Sequence, residues 1–291
     1  MASNPTSTGS GRLGVAKTRK LFIDGAFVRS ESGRTFATPG PSGNEVNVAM
    51  ASRKDVRDAV SAARRCLPAW SGLTAYNRGQ ILYRMAEMIE SRSLEFAELV
   101  AVREGCTVAE AKGRVEMSVD RWVWYAGWTD KLGNLAASVN PVAGPYFNFS
   151  LPVPTGVVAV FAPASLLGIT SVLASTVAAG NVAILVAEER GSLVSTSLAE
   201  AVATSDFPAG AVNVLTGIQD ELVETVSSHR GIDGLDISGL APELRVASES
   251  AASSSVKRVF SESVAEWTEP PSVSRVLAFV EVKTVWHPIG I

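Results

Sequence analysis

The sequence predicts an α/β fold: a parallel sheet with helices on both faces. Three observations predict it. Between Gly156 and Phe260, β-type runs alternate with single helical stretches, which implies right-handed βαβ units. The longest apolar stretch, residues 155–185, is broken by Gly156, Pro163, Gly168, Gly180 and Asn181. It therefore divides into a buried strand, a loop, a helix and a second strand. Hydrophobic residues make up 46% of the 291, enough for a sizeable core.

Each element has its own signal. Residues 1–19 are rich in Ser, Gly and Thr and read as a disordered tail. Residues 21–28 read as two short strands around the Asp24-Gly25 turn. Three helical stretches follow, at 54–70, 77–102 and 108–132. The first carries Val56, Val60, Ala63 and Leu67 on one face, the second Ile81, Met85, Met88 and Ile89. Residues 134–152 interrupt the helices with β-type residues. Strands are expected at 156–161, 182–186, 211–215, 234–237 and 256–260, with helices at 166–179, 193–204, 221–228 and 243–254 between them. Such sheets bind ligands beyond the carboxyl ends of their strands, so the loops at 162–165 and 238–240 would line a site. Residues 261–274 are polar and Pro-containing, which suits a linker. Residues 276–286 form a β-rich run in which Val280, Val282, Thr284 and Trp286 alternate with Glu281, Lys283 and Val285. A terminal strand with an unpaired apolar edge invites pairing with another chain.

Charge and cysteine usage exclude several classes. With 26 basic and 29 acidic residues the net charge is −3, which argues against nucleic-acid or anionic-membrane partners. No window reaches the ~18 uncharged apolar residues of a membrane span. The two cysteines, Cys66 and Cys106, form no CxxC pair, so a disulfide scaffold or zinc site is not expected and a reducing, cytoplasmic compartment is. His229 and His287 are far apart and lack metal-type companions. Gly9 to Gly14 fits GxGxxG but follows no strand, and Asn148-Phe149-Ser150 fits a glycosylation sequon with nothing else to suggest secretion.

Four motifs in order carry a family resemblance over nearly the whole chain. KLFIDGAFVRSESGRTF resembles the opening of an aldehyde dehydrogenase, KLFINGEWVDSASGRTF. AAGNVAIL resembles AAGNTVVLKP, DFPAGAVNVLTG resembles GLPPGVVNVVTG, and FVEVKTVW resembles YTEVKTVW near the C-terminus of ordinary members. The chain is identified as a member of the aldehyde dehydrogenase superfamily. It resembles the truncated second domain of that superfamily's two-domain branch. The resemblance implies a Rossmann-like, dinucleotide-binding-type domain over 20–133 and 154–262. It also implies a small antiparallel sheet, made by an oligomerisation hairpin and terminal strand over 134–153 and 274–291, with Phe147, Phe149, Val280, Val282, Thr284 and Trp286 as contacts.

The family's functional residues are only partly present. Its nucleophile is a cysteine in a GQxC motif, whose thiol attacks the aldehyde before hydride passes to NAD(P). Here the chain runs from KRVFSESV to EVKTVW within a few dozen residues, and no cysteine follows Cys106. Cys106 matches a structural turn between helices, and Cys66 lies within the first helix. The family's PWNFP asparagine is absent from the segment Ala162 to Leu166, where Ser165 is the side-chain donor and reads as a helix cap. Glu262 matches the general base of ELGG but would have no thioester to serve, and reads as a solvated surface residue. Val186 stands where a lysine reaches the adenosine ribose, and Glu189 matches the acidic residue of that motif. Ser238 and Gly239 keep the turn near the pyrophosphate, whereas Leu240 replaces a hydroxyl. The resemblance thus implies no cofactor, or weak NAD(P) binding through Ser165, Glu189, Ser238 and Gly239. The expected function is a non-catalytic subunit that assembles with or regulates a full-length aldehyde dehydrogenase, with itself as the other partner. The alternatives are an NAD(P)-dependent oxidoreductase acting on aldehydes and a nucleotide-sensing module.

Overall fold

The computed structural model describes residues 17–262 and 267–290. The GxGxxG run and most of the expected tail lie outside the described residues.

β1 (Leu21–Ile23) and β2 (Ala26–Val28) pair antiparallel about Asp24 and Gly25. Both turn residues have positive φ, 55° and 74°, the backbone that a tight hairpin of this hand requires. A second ribbon that the residue pattern does not announce, β3 (Thr35–Pro39) with β4 (Glu45–Ala49), follows. α1 (Arg53–Ser71) begins with a capping box. The Asp55 carboxylate accepts from Ser52 N at 2.7 Å, and the Ser52 hydroxyl accepts from Asp55 N at 3.4 Å.

The single helix expected over 77–102 is two. α2 (Ala75–Ser91) and α3 (Ser93–Glu104) meet at Arg92, whose φ of −114° and ψ of 21° break the helix. The physical reason is distant in sequence. The Arg92 guanidinium is pulled onto Glu95, Glu200 and the Ser197 carbonyl. α4 (Val108–Ala126) likewise stops short of 132. Gly127 caps it, and α5 (Leu132–Ala136) is a separate short helix.

The alternating half follows the expected order. β5 (Ser138–Asn140) and β6 (Tyr146–Pro154) lead to β7 (Val157–Phe161), α6 (Leu166–Ala178), β8 (Val182–Val186) and α7 (Ser192–Val202). β9 (Val212–Leu215), α8 (Gln219–Ser228), β10 (Gly234–Asp236), α9 (Pro242–Ser253) and β11 (Arg258–Phe260) complete it. The large sheet has the order β11-β10-β7-β8-β9-β1-β2. β11 to β9 run parallel, and the β1–β2 hairpin closes one side antiparallel. β7 and β8 are buried at every residue, as strands covered on both faces are. α1 packs against β7, β8, β9 and α8, and α6 and α7 pack against strands with α2, α3 and α4 outside them. Strand order reverses between β7 and β10, so the crevice that such a sheet offers a ligand lies beyond the carboxyl ends of those two strands.

Three expectations for the C-terminal part need correction. Residues 276–286 are not one β run, because α10 (Val273–Leu277) precedes β12 (Val280–Pro288). Val276 and Phe279 are buried in the large domain's core, and a Cβ on Gly234 would come within 2.8 Å of the Phe279 ring. Residues 267–274 of the segment expected as a linker are packed as well, as described below. β12 also pairs within its own chain. It runs antiparallel to β6 over nine residues, from Val280 opposite Pro154 to Pro288 opposite Tyr146, in the sheet β12-β6-β5. Carbonyls at its entry are held by Asn181, Thr155 N and Arg258, so its register is set before it meets β6.

The same register divides the expected contact residues. Directly opposed residues share a face of the sheet. Phe149 opposes Val285 and Val139, and Phe147 opposes His287, whereas Thr284 opposes Ser150 and Trp286 opposes Asn148. Phe147 and Phe149 therefore lie on the face opposite to Val282, Thr284 and Trp286, and Val280 is buried at the root of the strand. Thr284 is tied to Ser150 Oγ at 2.9 Å, with Asn140 and Asn148 completing a polar row on that face.

Candidate functional site

The crevice beyond β7 and β10 is built from two loops. The one after β7 ends at Ser165, whose hydroxyl accepts from Gly168 N at 3.0 Å and caps α6. The one after β10 carries Ser238 and Gly239. A Cβ on Gly239 would lie 2.3 Å from the Phe161 carbonyl oxygen and 2.6 Å from Ala162, so only glycine lets the two loops touch. Gln219 fixes the neighbouring strand ends, because its Nε2 donates to the Ala162 carbonyl at 3.3 Å and the Val186 carbonyl at 3.1 Å.

Arg275, on α10, fills the crevice from the chain itself. Its side chain is 3% exposed and faces Asp236, which is 2% exposed. The guanidinium donates to Asp236 Oδ2 at 2.8 Å and to Ser238 Oγ at 3.2 Å, and pairs with Glu262 Oε2 at 2.8 Å. It stacks 4.9 Å from the Trp267 ring centroid and 5.3 Å from that of Phe260. Trp267 closes over the first turn of α6, where a Cβ on Gly168 would come within 3.0 Å of its ring. Arg121, on α4, holds this segment down. It donates to the carbonyls of Trp267 at 2.7 Å and Glu269 at 2.5 Å, and to Ser171 Oγ at 2.6 Å. Burial lowers the Arg121 guanidinium from its usual pKa, and the neighbouring charge of Arg275 adds to the effect. Burial pushes the nearby Tyr125 hydroxyl up to about 12, and that hydroxyl has no partner among the described residues. The space left among Arg121, Tyr125, Ser171, Glu262, Trp267 and Arg275 is about 60 Å³. A small-molecule pocket is on the order of 300–1,000 Å³.

The expected site residues are placed as follows. Ser165 and Ser238 come together at the crevice with Gly239, but both hydroxyls are engaged internally. Ser238 Oγ accepts from Glu262 N at 3.0 Å as well as from Arg275. Glu262 is not a free solvated carboxylate; it is the outer acid of the Arg275 cluster. Val186 is fully buried and Leu240 nearly so, and neither offers a donor to a phosphate or a ribose. Glu189 sits apart, half-buried on the loop after β8. There its neighbour Glu188 pairs with Arg103 at 3.0 Å and accepts from Gly191 N at 2.8 Å. In this conformation the residues present do not fit a dinucleotide. Sequence reasoning missed Arg121, Trp267 and Arg275. The signal available was a tryptophan inside an otherwise polar, Pro-rich stretch, a residue seldom left in water.

Neither cysteine reaches the crevice cluster. Cys66, on α1, is buried against Pro208 and Gly210, and its thiol is pushed up to about 11, first by burial and then by the charge of Asp24. Cys106 is half-buried at the α3–α4 turn. At pH 8 iodoacetamide is therefore expected to label Cys106 and leave Cys66 unmodified in the folded chain, since the thiolate is the nucleophile. Peptide mass spectrometry reads the outcome, and labelling of Cys66 at a comparable rate would contradict the burial described here.

Among the described residues, no helix is long and apolar enough to cross a membrane, and no group of three His, Cys, Asp or Glu side chains could hold a metal ion.

Comparison with known proteins places these features. The profile described as "Aldehyde dehydrogenase family" matches residues 27–265. An aldehyde dehydrogenase of Davidiella tassiana is 32% identical over 247 residues, which cover 82% of this chain and 49% of that protein. Among solved structures, the NAD-dependent aldehyde dehydrogenase of Sinorhizobium meliloti is 25% identical with a TM-score of 0.76, covering 88% of this chain and 52% of that one. Betaine aldehyde dehydrogenase of Staphylococcus aureus in complex with NAD+ has a TM-score of 0.76 at 23% identity, covering 83% of this chain and 48% of that one, a likeness of fold. The chain spans about half the length of the curated relatives it matches.

Proposed function

Because the chain belongs to the aldehyde dehydrogenase family, we propose that it is a non-catalytic member that assembles with, and stabilises or regulates, a full-length aldehyde dehydrogenase. One observation carries this reading. Glu262, the residue matched to the family's general base, is locked to Arg275 in a cluster with Asp236 and Ser238, and no thiol lies beside it. The carboxylate is spent on that contact, 2.8 Å from the guanidinium, rather than facing an open cavity. With neither nucleophile nor the PWNFP amide, the groups that would stabilise a tetrahedral oxyanion are missing.

Assembly is supported by the small sheet. Phe147, Leu151, Val139, Val282 and Trp286 are exposed, on both faces of the same three strands. A groove of about 390 Å³ runs along Val139, Phe147, Phe149 and Leu151. The outer edge of β12 has no partner strand among the described residues. Exposed aromatic and β-branched residues on a free-edged sheet suit an interface with another protein.

The test is NAD(P)H formation with a panel of aldehydes at high protein concentration, and no turnover is expected. The rival oxidoreductase reading has one observation in its favour. Cys106 follows Glu104 by two residues, and the Glu104 carboxylate accepts from Leu166 N at the start of α6. Turnover that disappears in Cys106→Ala would establish that reading in place of ours.

Dinucleotide binding is a separate matter. The fold is shared with a structure that holds NAD+, so NAD(P) is the ligand to try. The lost lysine and hydroxyl should each weaken it by about 1–3 kcal/mol. Calorimetric titration of the wild-type chain should show no binding tighter than millimolar. A micromolar constant for either nucleotide would favour the sensing module.

A further inference from the structure

We infer that the segment from Trp267 to Arg275 is a self-occluding strap, which closes the β7/β10 crevice with the chain's own guanidinium and must release before any dinucleotide can enter. This deepens the reading of a non-catalytic subunit, since it explains why the crevice is shut rather than merely stripped of contacts. Strand order puts the ligand crevice of this sheet beyond β7 and β10. That is where Arg275 engages Asp236 Oδ2 and Ser238 Oγ, and where the Trp267 ring covers the first turn of α6.

The first turn of a helix and the loop after β10 are the places where backbone N–H groups would meet a phosphate. Here the strap covers the former and uses the hydroxyl of the latter. Its fastenings are of a releasable kind. Arg121 grips the strap through two backbone carbonyls rather than through a carboxylate, so letting go of Arg121 strands no anion. Glu262, the outer acid that Arg275 reaches, is 38% exposed and can turn to water. Asp236, the buried acid of the cluster, also accepts from Ser238 N, a contact that survives release. Among the contacts of the described residues, the strap is held by the buried Arg275–Asp236 pair and, at its periphery, by Arg121 and Glu262.

The test uses two variants that leave the Arg275–Asp236 pair intact, Arg121→Ala and Trp267→Ala, with NAD+ as the probe. Hydrogen exchange over residues 267–277 reports the strap, and calorimetry reports binding. Circular dichroism and the thermal midpoint confirm that each variant is folded. The expected result is faster exchange confined to 267–277 together with NAD+ affinity at least about tenfold above that of the wild-type chain. Two results overturn the inference: folded variants with faster exchange but unchanged affinity, or variants whose exchange over 267–277 matches the wild type. If Trp267→Ala is unstable, Arg121→Ala decides alone, because it removes only hydrogen bonds to carbonyls and one serine. Neither overturning result touches the assembly reading, which is tested by molecular mass.

Discussion

Arg275→Ala is expected to destabilise the folded chain by about 3–5 kcal/mol, the usual cost of leaving a buried charge without its partner. The substitution strands Asp236, a 2% exposed carboxylate, with one backbone donor. It also removes the cation stacked between Trp267 and Phe260. Urea unfolding measures the loss. A shift below about 1 kcal/mol, the range of exposed ion pairs, would mean that the cluster is not buried as described. The double substitution Asp236→Leu with Arg275→Met should recover most of the loss, because replacing both members of a buried pair by apolar side chains is often neutral. The cluster would then owe its presence to what it blocks or positions rather than to stability.

The second large effect concerns assembly. Phe147→Asp combined with Phe149→Asp is expected to abolish association through the small sheet while shifting the unfolding midpoint little. Phe147 is well exposed and Phe149 half-buried, and both line the groove that also holds Val139 and Leu151. Two charges placed in an apolar contact would have to be desolvated there without partners. On the opposite face, Trp286→Ala should weaken association if that face is used as well. The two results together assign the contact to one face or both. Co-purification with a full-length aldehyde dehydrogenase from the same source reads the outcome, and unchanged association in both variants would remove the small sheet from the account.

The parts of this molecule that were legible in the sequence are those set by local chemistry. Asp24-Gly25 specifies its hairpin because few other pairs accept positive φ twice. The apolar runs of β7 and β8 specify a doubly covered sheet because no half-exposed strand is apolar throughout. What escaped depends on partners far along the chain. Arg92 breaks a helix of good local propensity because Glu200 draws its guanidinium across 108 residues. The faces of β6 and β12 are set by a nine-residue register, and alternation within one strand says nothing about which face of its neighbour it shares. The crevice cluster joins α4, β10, β11 and α10, and its charged members Arg121, Asp236, Glu262 and Arg275 each read locally as an ordinary polar residue. Of the expected site residues, Ser238 and Glu262 serve Arg275, Ser165 caps α6, and Glu189 sits apart from the crevice.

The most direct measurement is the mass of the intact chain. It would be taken by light scattering, alone and after co-expression with a full-length aldehyde dehydrogenase from the same source. The account predicts a complex whose mass exceeds that of either protein alone. It also predicts that this complex is lost when the chain is cut after Glu281, which removes the exposed length of β12 and keeps Val276 and Phe279 in the core. A monodisperse 30.5 kDa monomer under both conditions would contradict it.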